Sequence, residues 1–280
     1  VAMSLKRILV PLDASIFSEG AARAACQIAK AHGATLSGVA VLDSPEIRSS
    51  LVPAVGPYYP MMLDAVQEKI THADHVLKDT LNQFSRLCES AEVSHLETEY
   101  EGIPAQKLLE SSIFYDLIVM GLETAFHFET RVSTGDTLDK LLDHTATPVL
   151  AVPPEGLPSL ERVAIAFDGS FSSSRALRDF MLMAFPFAPE ILLIVADTPF
   201  SEAEFLLNNA RSLLQSHGFG RVEVMISEEE VGSTFDDRFL DGFDLVVAGI
   251  HSRRKLRDLF TGSFTARLIR DGTTPLFLSH

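Results

Sequence analysis

The sequence predicts an α/β protein made of two repeated doubly wound units, each a five-stranded parallel sheet with helices on both faces. Short apolar runs alternate with helical stretches along all 280 residues. Those runs are nearly continuous in Val, Ile and Leu, the pattern of strands covered on both sides. The order of runs in the first half then recurs in the second, so the fold is a duplication.

The first strand is Lys6-Arg7-Ile8-Leu9-Val10-Pro11-Leu12-Asp13-Ala14-Ser15, ending in an acidic turn before a helix from Phe17 to His32. Its echo is Glu161-Arg162-Val163-Ala164-Ile165-Ala166-Phe167-Asp168-Gly169-Ser170, with a helix from Ser172 to about Ala184. Thr35 to Asp43 and Ile191 to Asp197 form the second strands, each ending in Asp. Helices follow over Met62 to Cys88 and Ser201 to His217. The third strands, Ser94 to Glu101 and Val222 to Ser227, alternate with polar residues, which suits sheet edges. Asp116 to Gly121 and Asp244 to Gly249 are the fourth strands; Thr147 to Val152 and Thr274 to Ser279 are the last. Pro153-Pro154-Glu155-Gly156-Leu157-Pro158 is a turn-rich linker, so the units are expected at 1–154 and 159–280. Residues Ser44 to Pro60 read as an inserted loop without a counterpart in the second half.

Composition narrows the function classes. A hydrophobic fraction of 46% excludes a disordered chain, and no apolar run reaches the roughly 18 to 20 residues a membrane helix needs. With no signal-peptide pattern at the start, a soluble cytoplasmic protein is expected. A formal charge of -15 opposes nucleic-acid binding, because phosphate backbones are held by Lys and Arg. Any phosphate must therefore be held locally. Cys26 and Cys88 sit in helical stretches and read as reduced thiols without a catalytic role. His72 and His75 have metal-compatible spacing but no identified further ligand, and read as an exposed helix face.

In open parallel sheets ligands bind at the carboxyl ends of strands, where the strand order reverses. This selects Asp13 and Asp168, Val41 with Asp43, Val195 with Asp197, and Gly121 and Gly249. An Asp at such a strand end bonds ribose hydroxyls or an adenine amine, or else caps the next helix; both uses stay open here. The sharpest motif is Gly249-Ile250-His251-Ser252, nine residues from Arg253 to Thr261, then Gly262-Ser263-Phe264-Thr265 at a helix start. Glycine permits close backbone approach, and free amides at a helix N-terminus hold anions. Ser263 and Thr265 add hydroxyl donors, His251 is a further donor, and Arg253, Arg254, Lys255 and Arg257 offset phosphate charge.

These residues resemble the universal stress protein family in its tandem form, across nearly the whole chain. The shared features are the strand and helix order, the Asp after the first strand, and the Gly-x-x-Gly, nine-residue gap, Gly-Ser loop, in which Ser252 replaces the second Gly. The resemblance implies ATP, or ADP or AMP, with or without Mg2+. Its adenine would lie near Asp168 and the backbone of Val195, and its phosphates along Gly249, Ser252, Gly262, Ser263 and Phe264. The corresponding first-half set is Asp13, Val41, Gly121, Gly135 and Thr137. That loop departs from the pattern: Thr124 stands for the second Gly, the gap is one residue longer, and Asp136 replaces Ser. A carboxylate there repels a polyphosphate, although it suits the start of the next helix.

The leading expectation is an ATP-responsive stress or regulatory protein whose occupancy alters partner contacts or self-assembly. A slow ATPase needs a residue to position water, and none is evident. A phosphoacceptor domain needs a Lys near the last strand, which neither half offers. An interaction protein with both nucleotide sites empty is the remaining alternative. No Walker, dinucleotide or nucleophile-elbow motif is present. The two halves are expected to pair about a pseudo-two-fold axis, as such units do when they pair as dimers, with their last strands crossing; a homodimer of whole chains stays open.

Overall fold

Strand and helix alternate as the apolar runs dictate. The computed structural model describes residues 4–49, 59–124, 136–229, 231–250 and 273–280. The first half runs β1 (Arg7–Leu12), α1 (Ile16–His32), β2 (Thr35–Leu42), α2 (Ser44–Ser49), α3 (Tyr59–Ala91), β3 (His95–Glu101), α4 (Pro104–Ser112), β4 (Leu117–Gly121), α5 (Asp136–His144) and β5 (Val149–Val152). The second runs β6 (Arg162–Ala166), α6 (Phe171–Ala184), β7 (Glu190–Ala196), α7 (Phe200–Ser216), β8 (Val222–Ser227), α8 (Val231–Thr234), α9 (Asp237–Leu240), β9 (Leu245–Gly249) and β10 (Leu276–Ser279). Among the described residues no helix is long and apolar enough to cross a membrane.

All the strands belong to one sheet of order β3-β2-β1-β4-β5-β10-β9-β6-β7-β8, which reads the same from either end once the halves are matched. Pairing is parallel within each half, and β5 meets β10 antiparallel, Leu276 opposite Ala151 and Leu278 opposite Val149. The last strands therefore cross-pair, and two five-stranded sheets become one. β3 and β8 lie at the outer edges, where their polar alternation placed them.

The duplication extends to side-chain detail at the amino ends of the strands. Asp116 Oδ2 accepts from the Lys6 and Arg7 amides at 2.7 and 3.0 Å, and Asp244 Oδ2 accepts from the Glu161 and Arg162 amides at 2.8 and 2.9 Å. Each carboxylate ties the first strand of its half to the fourth. Above it an arginine covers an aromatic ring, Arg7 over Tyr115 at 4.6 Å and Arg162 over Phe243 at 5.2 Å.

One apolar layer runs across both halves on a single face of the sheet. It takes Ile8 and Val10 from β1, Leu81 and Phe84 from α3, and Ile165, Phe180 and Phe277 from the second half. Leu9, Ile118 and Leu141 join Val246, Phe235 and Leu278 on the opposite face. Burying each large side chain contributes roughly 1.5–3 kcal/mol, so the junction is held by core rather than by a tether. The segment between the halves lies against α1. Arg23 donates to the Pro154 carbonyl at 2.6 Å, and a Cβ on Gly20 would sit 2.5 Å from the Pro153 carbonyl oxygen.

One expectation needs correction. Residues 44–60 are not loop throughout: α2 occupies Ser44–Ser49, and α3 begins at Tyr59 and continues to Ala91. The cause is local, because Asp43 Oδ1 accepts the Glu46 amide at 3.0 Å. Pro45 then falls in the first turn, where a missing amide costs nothing. Residues 50–58 lie outside the described set.

Candidate functional site

Strand order reverses beside β1 and β4 in the first half and beside β6 and β9 in the second, so these equivalent carboxyl ends are the places where an open parallel sheet takes a ligand. Asp13 and Gly121 mark one; Asp168 and Gly249 mark the other. In both, the chain leaves the strand as Asp-x-Ser and enters a helix whose cap is the serine. Ser15 Oγ accepts the Ser18 amide at 3.4 Å, and Ser170 Oγ accepts the Ser173 amide at 3.2 Å. The capping role considered for the aspartates belongs to these serines. Asp13 and Asp168 instead brace the turn, each accepting at Oδ1 the amide of its serine at 3.0 Å.

Beyond that shared bond the two aspartates differ. Asp13 is buried, and its Oδ1 also accepts from the hydroxyls of Ser15 and Ser18, while its amide donates to Ser18 Oγ at 2.8 Å. The position matching Ser18 is Ser173, whose hydroxyl turns to the Ser170 carbonyl at 3.2 Å. Asp168 is left with Oδ2 buried and without a partner among the described residues. A buried oxygen of a charged group that lacks a donor costs more than the roughly 1–3 kcal/mol typical of a neutral one. The turn around it is also special, since Gly169 has φ +71°, a left-handed conformation that favours glycine, where the first half has Ala14.

Gly121 and Gly249 have a structural use of their own. A Cβ on Gly249 would stand 2.4 Å from the Ser173 nitrogen and 2.5 Å from the Ser172 carbonyl carbon. On Gly121 it would stand 2.4 Å from Phe17 Cβ. Each glycine lets the fourth strand press against the first turn of the helix that follows the first strand. This holds the strand end, the aspartate turn and the helix entry together.

Register moves one expected position. Leu12 pairs with Ala40, and Ala166 pairs with Ile194. Counting from the two aspartates, Ala40 matches Val195, and Val41 matches Ala196. Val41 and Val195 accordingly lie in different apolar layers. The strand-end aspartates misled the comparison, because Asp197 follows its strand one residue earlier than Asp43 does and adopts φ +47°. A single-residue offset exchanges the faces of a strand. Counting pairs from β6, the position equivalent to Val41 is Ala196, one residue beyond Val195.

His251, Ser252, Arg253, Gly262, Ser263, Phe264 and Thr265 lie outside the described residues, as does Gly135. Thr137 is in the first turn of α5, which Asp136 opens. His75 pairs with Asp79 at 3.5 Å on the exposed face of α3, and among the described residues no three His, Cys, Asp or Glu side chains gather as a metal site. A groove of about 710 Å³ separates α1 from α3 beside Asp13, lined by Ser15, Ala22, Thr80, Phe84 and Leu87 among others.

This architecture, two matched switch points on one duplicated sheet, agrees with comparisons to known proteins. The sequence profile of the universal stress protein family matches residues 4–153, and the chain belongs to that family. It is 25% identical over 228 residues to Universal stress protein Slr1230 of Synechocystis, covering 76% of this chain and 75% of that one. A universal stress protein from Archaeoglobus fulgidus shares the fold over 98% of this chain and 95% of its own, with a TM-score of 0.67 at 18% identity. A functionally unknown protein, PA1789 from Pseudomonas aeruginosa, aligns over 99% of this chain and 93% of its own, with a TM-score of 0.55 at 14% identity.

Proposed function

We propose that the second half binds one adenine nucleotide, ATP in the first instance, and that its occupancy regulates what the protein contacts. The observation that carries this reading is the buried Oδ2 of Asp168, at the strand end beside β9, which has no partner among the described residues. An adenine amine or a ribose hydroxyl donating to that oxygen removes its desolvation cost. In the first half the matching turn is closed by hydroxyls of the chain itself, and Asp136 opens the helix where phosphates would meet amides.

Several residues have roles under this reading. Asp168 orients the base or ribose, and main chain near Ala196 lines the adenine side. Gly249 keeps β9 close enough to α6 for one ligand to span both. Gly262, Ser263, Phe264 and Thr265 supply amides and hydroxyls to the phosphates, with Ser252 and His251 as further donors. On a chain of charge -15, the Arg253, Arg254, Lys255 and Arg257 run offsets triphosphate charge locally. Mg2+ fits as a companion of the phosphates. No residue in this set is assigned to activating water, so binding rather than turnover is the function proposed.

Mass spectrometry of small molecules released by denaturing freshly purified protein tests the reading. Wild type is expected to release an adenine nucleotide, and Asp168→Ala and Gly262→Asp to release little or none. Persistence of the nucleotide in both variants overturns the site.

A further inference from the structure

The two cysteines, separated by 62 positions in the chain, meet in space. Cys26 on α1 and Cys88 on α3 place their sulfurs 3.9 Å apart, both in the apolar layer beneath those helices. They are the chain's whole complement of cysteine, and both are free thiols. From the structure we propose that Cys26 and Cys88 form a peroxide-oxidisable dithiol that closes reversibly to a disulfide joining α1 to α3. This goes beyond nucleotide binding and does not depend on it.

Geometry favours closure. A disulfide needs its sulfurs about 2.0 Å apart, so closure asks for a combined approach of roughly 1.9 Å between two facing helices. Access favours Cys26 as the first to react, being 5% exposed where Cys88 is 0%. The groove between α1 and α3 leads toward the pair, since its walls include Ala22, one turn before Cys26, Phe84, one turn before Cys88, and Leu87, immediately before Cys88. Either sulfur can donate in the Cys26–Cys88 contact, which holds the Cys26 thiol below its ordinary pKa, although burial opposes this. The same contact, with burial, pushes Cys88 up. On access, Cys26 is the member that reacts first, as thiolate, and Cys88 the resolving one.

The oxidant is hydrogen peroxide or another hydroperoxide. Cys26, as thiolate, attacks the peroxide oxygen; the O–O bond breaks, leaving a sulfenic acid on Cys26 and hydroxide, which takes up a proton to become water. Cys88 then loses its proton and attacks the Cys26 sulfur; the S–O bond breaks and a second water leaves. Two thiols have lost two electrons and two protons, and one peroxide has been reduced. Reduction by an external dithiol reverses the bond.

The test treats the full chain with hydrogen peroxide, denatures it in alkylating agent and maps its peptides without reduction. Expected is a monomer lighter by two hydrogens, a Cys26–Cys88 peptide, loss of both alkylatable thiols, and their return after dithiothreitol. In Cys88→Ser, a sulfenic-acid reagent is expected to label Cys26; in Cys26→Ser, Cys88 is expected to stay unlabelled. Wild-type protein that keeps two alkylatable thiols under peroxide, or oxidises to sulfinic acid without the bridged peptide, overturns the proposal. The wild-type map decides it even if either variant folds poorly.

Discussion

His32, at the end of α1, donates Nε2–H to the Met183 carbonyl near the end of α6 at 2.8 Å, while its Nδ1 accepts the Leu5 amide at 3.2 Å. One buried neutral imidazole thereby bonds the first half to the second. Both ring nitrogens are used, and Nδ1 can accept only while it carries no proton.

Acid should therefore loosen the junction. Burial, with the nearby Lys6 charge, holds the His32 pKa below its ordinary value, partly offset by the Met183 carbonyl. Folding favours the neutral form, so this stabilisation is complete above the unfolded pKa of about 6.5. It is lost as pH falls from there through the lowered native value. Urea unfolding from about pH 7.5 down to about 5 checks this. His32→Gln is expected to be weaker at neutral pH by about 1–3 kcal/mol and to show a flatter dependence on pH than wild type. Equal slopes for the two proteins contradict the assignment.

Gly249 and Gly220 should respond unequally to the same change. Alanine at 249 forces its Cβ against backbone of Ser172 and Ser173, at distances no side-chain rotation relieves, whereas at 220 no atom of the described residues lies within 4 Å. Gly249→Ala is expected to cost about 1–3 kcal/mol and to weaken nucleotide binding by displacing the α6 entry. Gly220→Ala is expected to stay within about 0.5 kcal/mol of wild type. Thermal unfolding, followed by far-ultraviolet circular dichroism, distinguishes the two.

The halves should unfold together. Phe277 on β10 is fully buried, packs edge to face on Phe180 and pairs across the junction with Leu150 of β5. Phe277→Ala is expected to cost about 3–5 kcal/mol. Amide exchange read by mass spectrometry should show faster exchange in β4 and β5 as well as in β9 and β10. Acceleration confined to the second half would mean that the shared layer does not couple them.

Much of this organisation is visible in the residue order, and the parts that are not have identifiable reasons. Continuous apolar runs mark β1, β4, β6 and β9 because both faces are covered, and polar alternation marks β3 and β8 because they are edges. Proline and glycine around 45–60 suggest a loop, but Pro45 falls in the only turn of a helix that tolerates it and Asp43 provides the cap. The His32–Met183 bond and the Cys26–Cys88 contact join positions far apart in sequence, so no local periodicity announces them. At the site, Asp13, Asp168, Gly121 and Gly249 are legible as strand-end residues. Only packing reveals that the glycines seat a helix and that one aspartate is satisfied internally while the other keeps an oxygen without a partner among the described residues.

The most direct test of the central claim is calorimetric titration of nucleotide-free protein with ATP, comparing wild type, Asp168→Ala and Asp13→Ala. About one ATP per chain is expected for wild type and Asp13→Ala. A loss of at least about tenfold in affinity is expected for Asp168→Ala, the equivalent of one hydrogen bond to a charged group. Two sites per chain, or a loss on replacing Asp13 but not Asp168, would contradict the assignment of the nucleotide to the second half.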